Sequence, residues 1–254
     1  MLKFSIITTS YNQGQFIEQT IQSVLSQNYP NLEYIVMDGG STDNTLSILK
    51  KYEGKIKWFS EKDNGQSDAI NKGLRMATGD IVAWLNSDDY YLPGTLKKVV
   101  EIFENNKQTQ WVSGDYLIVD ENGKEIQSFV RNYKKVLASF SSFNTLSLAN
   151  YINQPSTFWR RDFQKKAGYL NEELHYCMDY DLWLRFIEES PVHIISNPLS
   201  AFRIHKASKG KLQYGKQFKE EVQVARKYND NYLIILLHKI HNLLINLVYQ
   251  VIKQ

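Results

Sequence analysis

The first part of the chain alternates short apolar runs with polar loops and helix-spaced segments. Residues 4–9 are an apolar run closed by Ser10-Tyr11-Asn12-Gln13-Gly14, which predicts a short buried strand. Residues 16–27 then place Phe16, Ile17, Ile21, Val24 and Leu25 at helical spacing. The alternation repeats with a strand over 32–37 and a helix over 42–52, for which Ser41 or Thr42 is the expected N-cap. A strand over 56–59, a helix over 67–77 and a buried strand over 81–85 follow. This order predicts an α/β fold with a Rossmann-like, mostly parallel central sheet flanked by helices. In such sheets ligands sit beyond the carboxyl ends of the strands.

The pattern changes after Pro93. A helix is expected over 96–104, and strands over 111–119 and 124–130 flank the turn Asp120-Glu121-Asn122-Gly123. Residues 139–151 have no clear period. A strand over 157–159, a helix over 179–188 and a helix starting near Leu212 complete the pattern. Residues 232–252 are rich in Leu, Ile, Val and Tyr. Their polar residues His238, His241, Asn242, Asn246 and Gln250, with Lys253 just beyond, gather near one face. The reading divides the chain into a first half over 1–115, a second half of the same domain over 116–210, and a C-terminal helical extension over 211–254.

Composition narrows the picture. The 254 residues suffice for one large α/β domain, and 43% apolar with 22% charged residues is ordinary for a globular protein. A net charge of +3 is too mild to argue for nucleic acid. The single cysteine, Cys177, excludes an intrachain disulfide and suits a reducing compartment. The start of the chain lacks the pattern of a signal peptide, and no run of about 18 apolar residues exists. A cytoplasmic location is therefore expected, with peripheral placement on the inner face of the cell membrane as one variant.

Four polar clusters follow expected strands: Ser10-Tyr11-Asn12, residues 38–43, residues 61–66 and Asn86-Ser87-Asp88-Asp89. In a parallel sheet they converge on one edge. Asp88 and Asp89 follow the apolar Val82-Ala83-Trp84-Leu85. Adjacent carboxylates at the end of a buried strand repel one another unless a cation neutralises them. Mg²⁺ or Mn²⁺ would do so and would bridge to substrate phosphates. The plainer reading is a solvated loop or a helix cap.

Residues 5–12 (Ser-Ile-Ile-Thr-Thr-Ser-Tyr-Asn), 38–45 (Asp-Gly-Gly-Ser-Thr-Asp-Asn-Thr), Ala69-Ile70-Asn71-Lys72-Gly73 and residues 85–89 occur in this order at fitting intervals. Together they resemble the nucleotide-binding half of the family 2 glycosyltransferases, which have the GT-A fold. The resemblance implies that Thr8, Ser10 and Tyr11 line a nucleotide pocket and that Asp38 accepts a hydrogen bond from the base, commonly uracil. It implies that Asp68 touches the nucleotide or donor sugar. Asn86, Ser87, Asp88 and Asp89 match the Asp-x-Asp motif, with Asp88 as metal ligand, to within one position, and Asp89 beside the donor sugar. The motif usually opens with Asp, and here that position is Asn86, which can hydrogen-bond but brings no charge.

The second half carries further resemblances. Cys177 to Arg185 resembles the acidic motif at the start of the acceptor-side helix, which puts Asp179 in the general-base position and Trp183 on the acceptor side. Asp181 reads as a helix N-terminal cap. Residues 153–159 resemble a loop and strand lining the acceptor site, with Gln154 as the polar candidate and a structural turn at Pro155 as the alternative. Phe202-Arg203-Ile204-His205 resembles a late Arg-x-His element whose His joins the metal shell; the plain alternative is a structural His205. Lys206, Lys209 and Lys211 either help hold diphosphate or form a solvated basic loop.

The reading that results is an inverting transferase. It would use Mn²⁺ or Mg²⁺, a nucleotide-sugar donor that is UDP-linked, and a glycan or lipid-linked acceptor in polysaccharide biosynthesis. Three readings stand for the C-terminal segment: packing on the domain, a homo-oligomer contact, or contact with a membrane surface. A nucleotidyltransferase is the competing enzyme, but the loop after the first strand has no basic residue. A non-catalytic nucleotide-sugar-binding module is the second alternative. A dinucleotide-binding dehydrogenase is disfavoured, because no Gly-x-Gly-x-x-Gly follows the first strand.

Overall fold

A computed structural model describes residues 1–206, 208 and 214–252. Its centre is an eight-stranded sheet of β1 (Phe4–Ser10), β2 (Leu32–Asp38), β3 (Lys57–Ser60), β4 (Ile81–Trp84), β5 (Tyr90–Tyr91), β6 (Trp111–Val119), β7 (Thr157–Arg160) and β8 (His193–Arg203). The spatial order is β3-β2-β1-β4-β7-β6-β8-β5. β1 to β4 are mutually parallel, β7 runs antiparallel between β4 and β6, and β6 is again parallel to β8. The short β5 pairs antiparallel with β8.

The helices are α1 (Ile17–Leu25), α2 (Thr45–Lys51), α3 (Gln66–Met76), α4 (Thr95–Asn105), α5 (Ser128–Ser139), α6 (Phe143–Leu148), α7 (Arg161–Ala167), α8 (Met178–Glu189), α9 (Tyr214–Tyr228) and α10 (Tyr232–Ile252). Alternation along the strands sends successive residues to opposite faces. Phe4 and Ile6 of β1 pack into a cluster with residues of α1, α2 and α4, whereas Ile7 joins a second cluster with α3 and α8. Trp84, Trp111, Trp159 and Trp183 form the centre of that second cluster. Gly73 lets α3 lie directly on β1, because a Cβ there would come within 2.5 Å of the Ile7 side chain.

Three expectations are corrected, and several elements are new. Residues 124–130 do not form a strand. The Asp120–Gly123 turn closes, with Ile126 N–H donating to Ile118 O at 2.8 Å, but only one bridge, Val119 to Glu125, forms before α5 begins. β5, β8, α5, α6 and α7 were not foreseen. The expected cap of α2 at Ser41 or Thr42 is displaced: α2 starts at Thr45, whose N–H donates to Asp43 Oδ1 at 2.9 Å. Asp181 does not cap α8. It is buried and accepts from Arg185 Nη2 at 2.9 Å and Tyr228 OH at 2.8 Å, which ties α8 to α9. Leu212, Lys209 and Lys211 lie outside the described residues, and the helix expected near Leu212 is α9.

Candidate active site

β1, β2 and β3 end at Ser10, Asp38 and Ser60, and β4 runs into residues 85–89 at the same edge of the sheet. The loops there are tied together by short polar side chains. Asp38 is 2% exposed, and its carboxylate accepts from Ser41 N–H (2.9 Å), Ser41 Oγ (2.5 Å), Ser60 Oγ (2.6 Å) and Gly40 N–H (3.1 Å). Asn12, in the left-handed region at φ 51°, accepts from Thr42 N–H at 2.8 Å. Its own N–H donates to Ser41 Oγ at 2.8 Å. The loops after β1 and β2 thereby form one rigid rim.

The expected nucleotide residues are spread through this rim at different depths. Ser10 is buried and its Oγ has no hydrogen-bond partner among the described residues, an orphan that suits a ligand group. Tyr11 is exposed at the mouth. Thr8 is fully buried and bonded to Tyr34 OH at 3.0 Å, so it supports the rim from beneath. Asp68 is also buried, and it accepts from Asn64 N–H at 3.0 Å and faces Lys72 Nζ at 3.2 Å. The Asn64 N–H is the main reason its carboxyl lies below the usual range, with Lys72 adding to the effect.

The adjacent carboxylates face opposite ways. Thr20 Oγ1 donates to both Ser87 O (2.8 Å) and Asp89 O (2.6 Å), which fixes the turn. Asp89 points inward at 1% exposure and accepts from Arg203 N–H at 2.9 Å. Burial, and then the charge of Asp88, push its carboxyl well above the usual range. Asp88 points outward, with Oδ2 3.0 Å from His205 Nε2. The His205 ring packs on Phe16, with centroids 4.8 Å apart.

Asn86 is a neutral bridge. Its Oδ1 accepts from Gln66 Nε2 (3.0 Å), and its Nδ2 donates to Gln154 Oε1 (3.1 Å) with a longer contact to Asp89 Oδ2 (3.4 Å). Gln154 in turn donates to Trp84 O at 2.6 Å. A carboxylate at position 86 would lose the donor to Gln154 and add a third charge beside a buried one. Ser87 is buried and contributes its backbone. Residues 154–156 form a single 3-10 turn containing Pro155, so Gln154 acts from a structural turn.

Arg203 was not among the expected site residues, and it organises the cluster. Its guanidinium donates to Asp88 O (2.8 Å), Glu121 O (2.9 Å) and Gln19 Oε1 (2.5 Å), and lies over the Phe16 and Tyr90 rings. The signal in the sequence is an arginine ending an apolar stretch, which must find acceptors once buried.

On the second half, Asp179 sits in the first turn of α8, half-buried. Burial pushes its carboxyl up to about 6, against the lowering effects of the Tyr180 N–H and the charge of Lys134 on α5. The approach to α8 is held from α9, where Glu220 accepts the N–H groups of His175 (3.1 Å), Tyr176 (2.6 Å) and Cys177 (2.7 Å). Trp183 is corrected from acceptor side to core. It is fully buried and stacked between Trp84 and Trp111, with centroids 5.6 and 5.9 Å away.

The fold is an α/β architecture with a mixed sheet, whose strand-end loops at the carboxyl edge are where ligands sit in such folds. The glycosyl transferase family 2 profile matches residues 5–185, and the chain belongs to that family. The fold is GT-A. An uncharacterised glycosyltransferase of Rickettsia typhi is 32% identical over 208 residues, which cover 80% of this chain and 64% of that protein. A similar one from Rickettsia conorii is matched over only 34% of its length, so the chain spans about a third to two thirds of these relatives. Among solved structures, S. aureus TarS 1-349 in complex with UDP-GlcNAc superposes with a TM-score of 0.69 at 21% identity, covering 88% of this chain and 65% of TarS 1-349. The mannosyltransferase PcManGT of Pyrobaculum calidifontis, in complex with GDP-Man and Mn²⁺, gives 0.67 at 17% identity, covering 94% of this chain and 69% of its own.

Among the described residues no group of three or more His, Cys, Asp or Glu side chains converges to hold a metal. Asp88 and His205 supply one oxygen and one nitrogen donor. That oxygen-and-nitrogen pair fits a divalent cation, which would need further ligands beyond these two side chains.

Proposed function

We propose that the chain is an inverting glycosyltransferase that moves a sugar from a UDP-linked donor to a hydroxyl of a glycan or lipid-linked acceptor, in the cytoplasm, during polysaccharide synthesis. The observation that carries this reading is the split of the acidic pair. Asp88 faces His205 at the carboxyl edge of the sheet, while Asp89 is locked inward on Arg203. The neighbour solved with UDP-GlcNAc favours uridine, and the neighbour solved with Mn²⁺ favours a metal-dependent reaction.

Ser10 and the Asp38 rim would receive the nucleotide. Asp88 and His205 would hold the cation, which supplies charge neutralisation for the departing diphosphate. Asp179 is the general base. It takes the proton of the acceptor hydroxyl as that oxygen attacks the anomeric carbon, and the bond to the diphosphate breaks with inversion. A single base suffices, unlike glycoside hydrolysis, where two carboxyl groups flank the bond. A carboxyl poised near 6 is ionised at neutral pH and still basic enough to accept the proton.

The test is UDP release from a panel of UDP-sugars with Mn²⁺ present. Slow release from at least one UDP-sugar, abolished by chelator, is expected. No release from any nucleotide-sugar, with Mn²⁺ or Mg²⁺, contradicts the assignment.

A further inference from the structure

α10 is folded inside out. Its polar residues face the protein: His238 is 1% exposed with Nδ1 2.8 Å from Ser147 O, and Asn242 donates to Glu221 of α9. Its apolar residues face away. Leu233, Leu236, Ile240, Leu243 and Leu247 are all exposed, Leu243 to 61%, and Leu237, Leu244 and Val248 widen the stripe. At about 100° per residue the apolar arc spans roughly 140°. Among the described residues of α10, Lys239 is the only charged side chain that is exposed, and it lies at the edge of the arc.

Two neighbouring helices extend the surface. α5 exposes Phe129, Tyr133, Val136 and Phe140 at helical spacing, and the Tyr133 ring stacks on His241 of α10 at 5.8 Å. α9 turns Lys216, Lys219 and Arg226 outward, whereas Lys227 pairs with Asp181 at 3.4 Å; Glu220 and Glu221 face inward to backbone and side-chain donors. Asp230, in the turn between α9 and α10, is the one exposed acid in that described helical pair.

From this arrangement we propose that α5, α9 and α10 seat the protein on an anionic lipid bilayer, with the leucine face of α10 in the acyl boundary and the α9 cations at the headgroups. Width and charge select this occupant. A second copy docked through a helical seam covers only two positions in seven and leaves Leu237, Leu244 and Val248 in water. A bilayer covers the whole arc, and cations without matching exposed acids complement anionic headgroups. No described helix is long and apolar enough to cross a membrane, so the contact is interfacial. The lipid binding does not rest on the transfer reading.

The test is co-sedimentation of the chain with vesicles of phosphatidylcholine alone and of equimolar phosphatidylcholine and phosphatidylglycerol. Partitioning into the anionic vesicles about tenfold above the neutral ones is expected. Leu236→Gln/Leu243→Gln/Leu247→Gln should lower it by at least about tenfold, and Lys216→Glu/Lys219→Glu/Arg226→Glu should lower it similarly. Thermal unfolding of both variants checks that the fold persists, since every substituted residue is exposed. Equal partitioning into the two vesicle types, or wild-type binding by the Gln variant, overturns the proposal. A dimer in sedimentation equilibrium that the Gln variant dissociates also overturns it and assigns the face to a second copy. Loss of vesicle binding with UDP release intact separates this surface from the transfer site.

Discussion

At the residue scale, Asp88 and Asp89 are adjacent in sequence and opposite in environment. The sequence made both visible as a carboxylate pair, but not which one turns outward. That choice depends on Arg203, more than a hundred positions later, whose N–H takes the inward carboxylate. Asn86 was legible as a departure from a motif, yet its bridging of Gln66 and Gln154 required the fold. Asp179→Asn is expected to keep donor binding and to lower transfer by about a hundred- to ten-thousand-fold, measured as kcat under saturating donor. In the unaltered protein, the acid limb of the rate profile should fall as pH drops through about 6. Stability has the opposite sign. Asp179 binds its proton more tightly folded than unfolded, so its contribution is most favourable below the unfolded value and is lost as pH rises toward 6. Asp179→Asn should therefore raise Tm by a few degrees at neutral pH and leave it unchanged near pH ~3. Arg203→Ala should cost on the order of 3 kcal/mol in urea unfolding, because it strips a buried network of its donor.

At the scale of elements, β1 to β4 and the helices between them follow local periodicity, and each was readable. Residues 124–130 were not, because a turn signal after β6 points to a hairpin. β8 holds one side of β6 as far as Val119, and β7 with the turn before it holds the start of the other. A hairpin partner finds room for one bridge, and Phe129, Tyr133, Val136 and Phe140 then follow helical spacing. β8 escaped because Asn197-Pro198 reads as a break. In the fold Pro198 lies opposite Asp115 at a register shift, where a missing N–H is tolerated. α10 was readable as a helix with one polar face, but local pattern would bury the apolar side. Buried partners on α6 and α9 reverse it. Glu220→Ala leaves three backbone N–H groups at the start of α8 without their acceptor. It should cost about 2 kcal/mol in denaturant unfolding and lower kcat more than donor affinity, since Asp179 lies two residues beyond.

At the scale of the molecule, one sheet carries both halves of the site. The parallel strands β1 to β4 deliver the donor rim, and β8 returns Arg203 and His205 to it from the far side of the sheet. The expected division at residue 115 falls inside β6, a strand in the same sheet, so the residues on both sides of it share one framework. In the proposed function, Asp88, and not Asp89, holds the cation together with His205. The most direct measurement of that role is the Mn²⁺ dependence of UDP affinity, by calorimetry, in the unaltered chain and in Asp88→Asn. Chelating Mn²⁺ should weaken UDP binding by at least about tenfold in the unaltered chain. In Asp88→Asn, UDP binding should be weak and indifferent to Mn²⁺. Equal UDP affinity with and without Mn²⁺ in the unaltered chain, or full Mn²⁺ enhancement in Asp88→Asn, would contradict it.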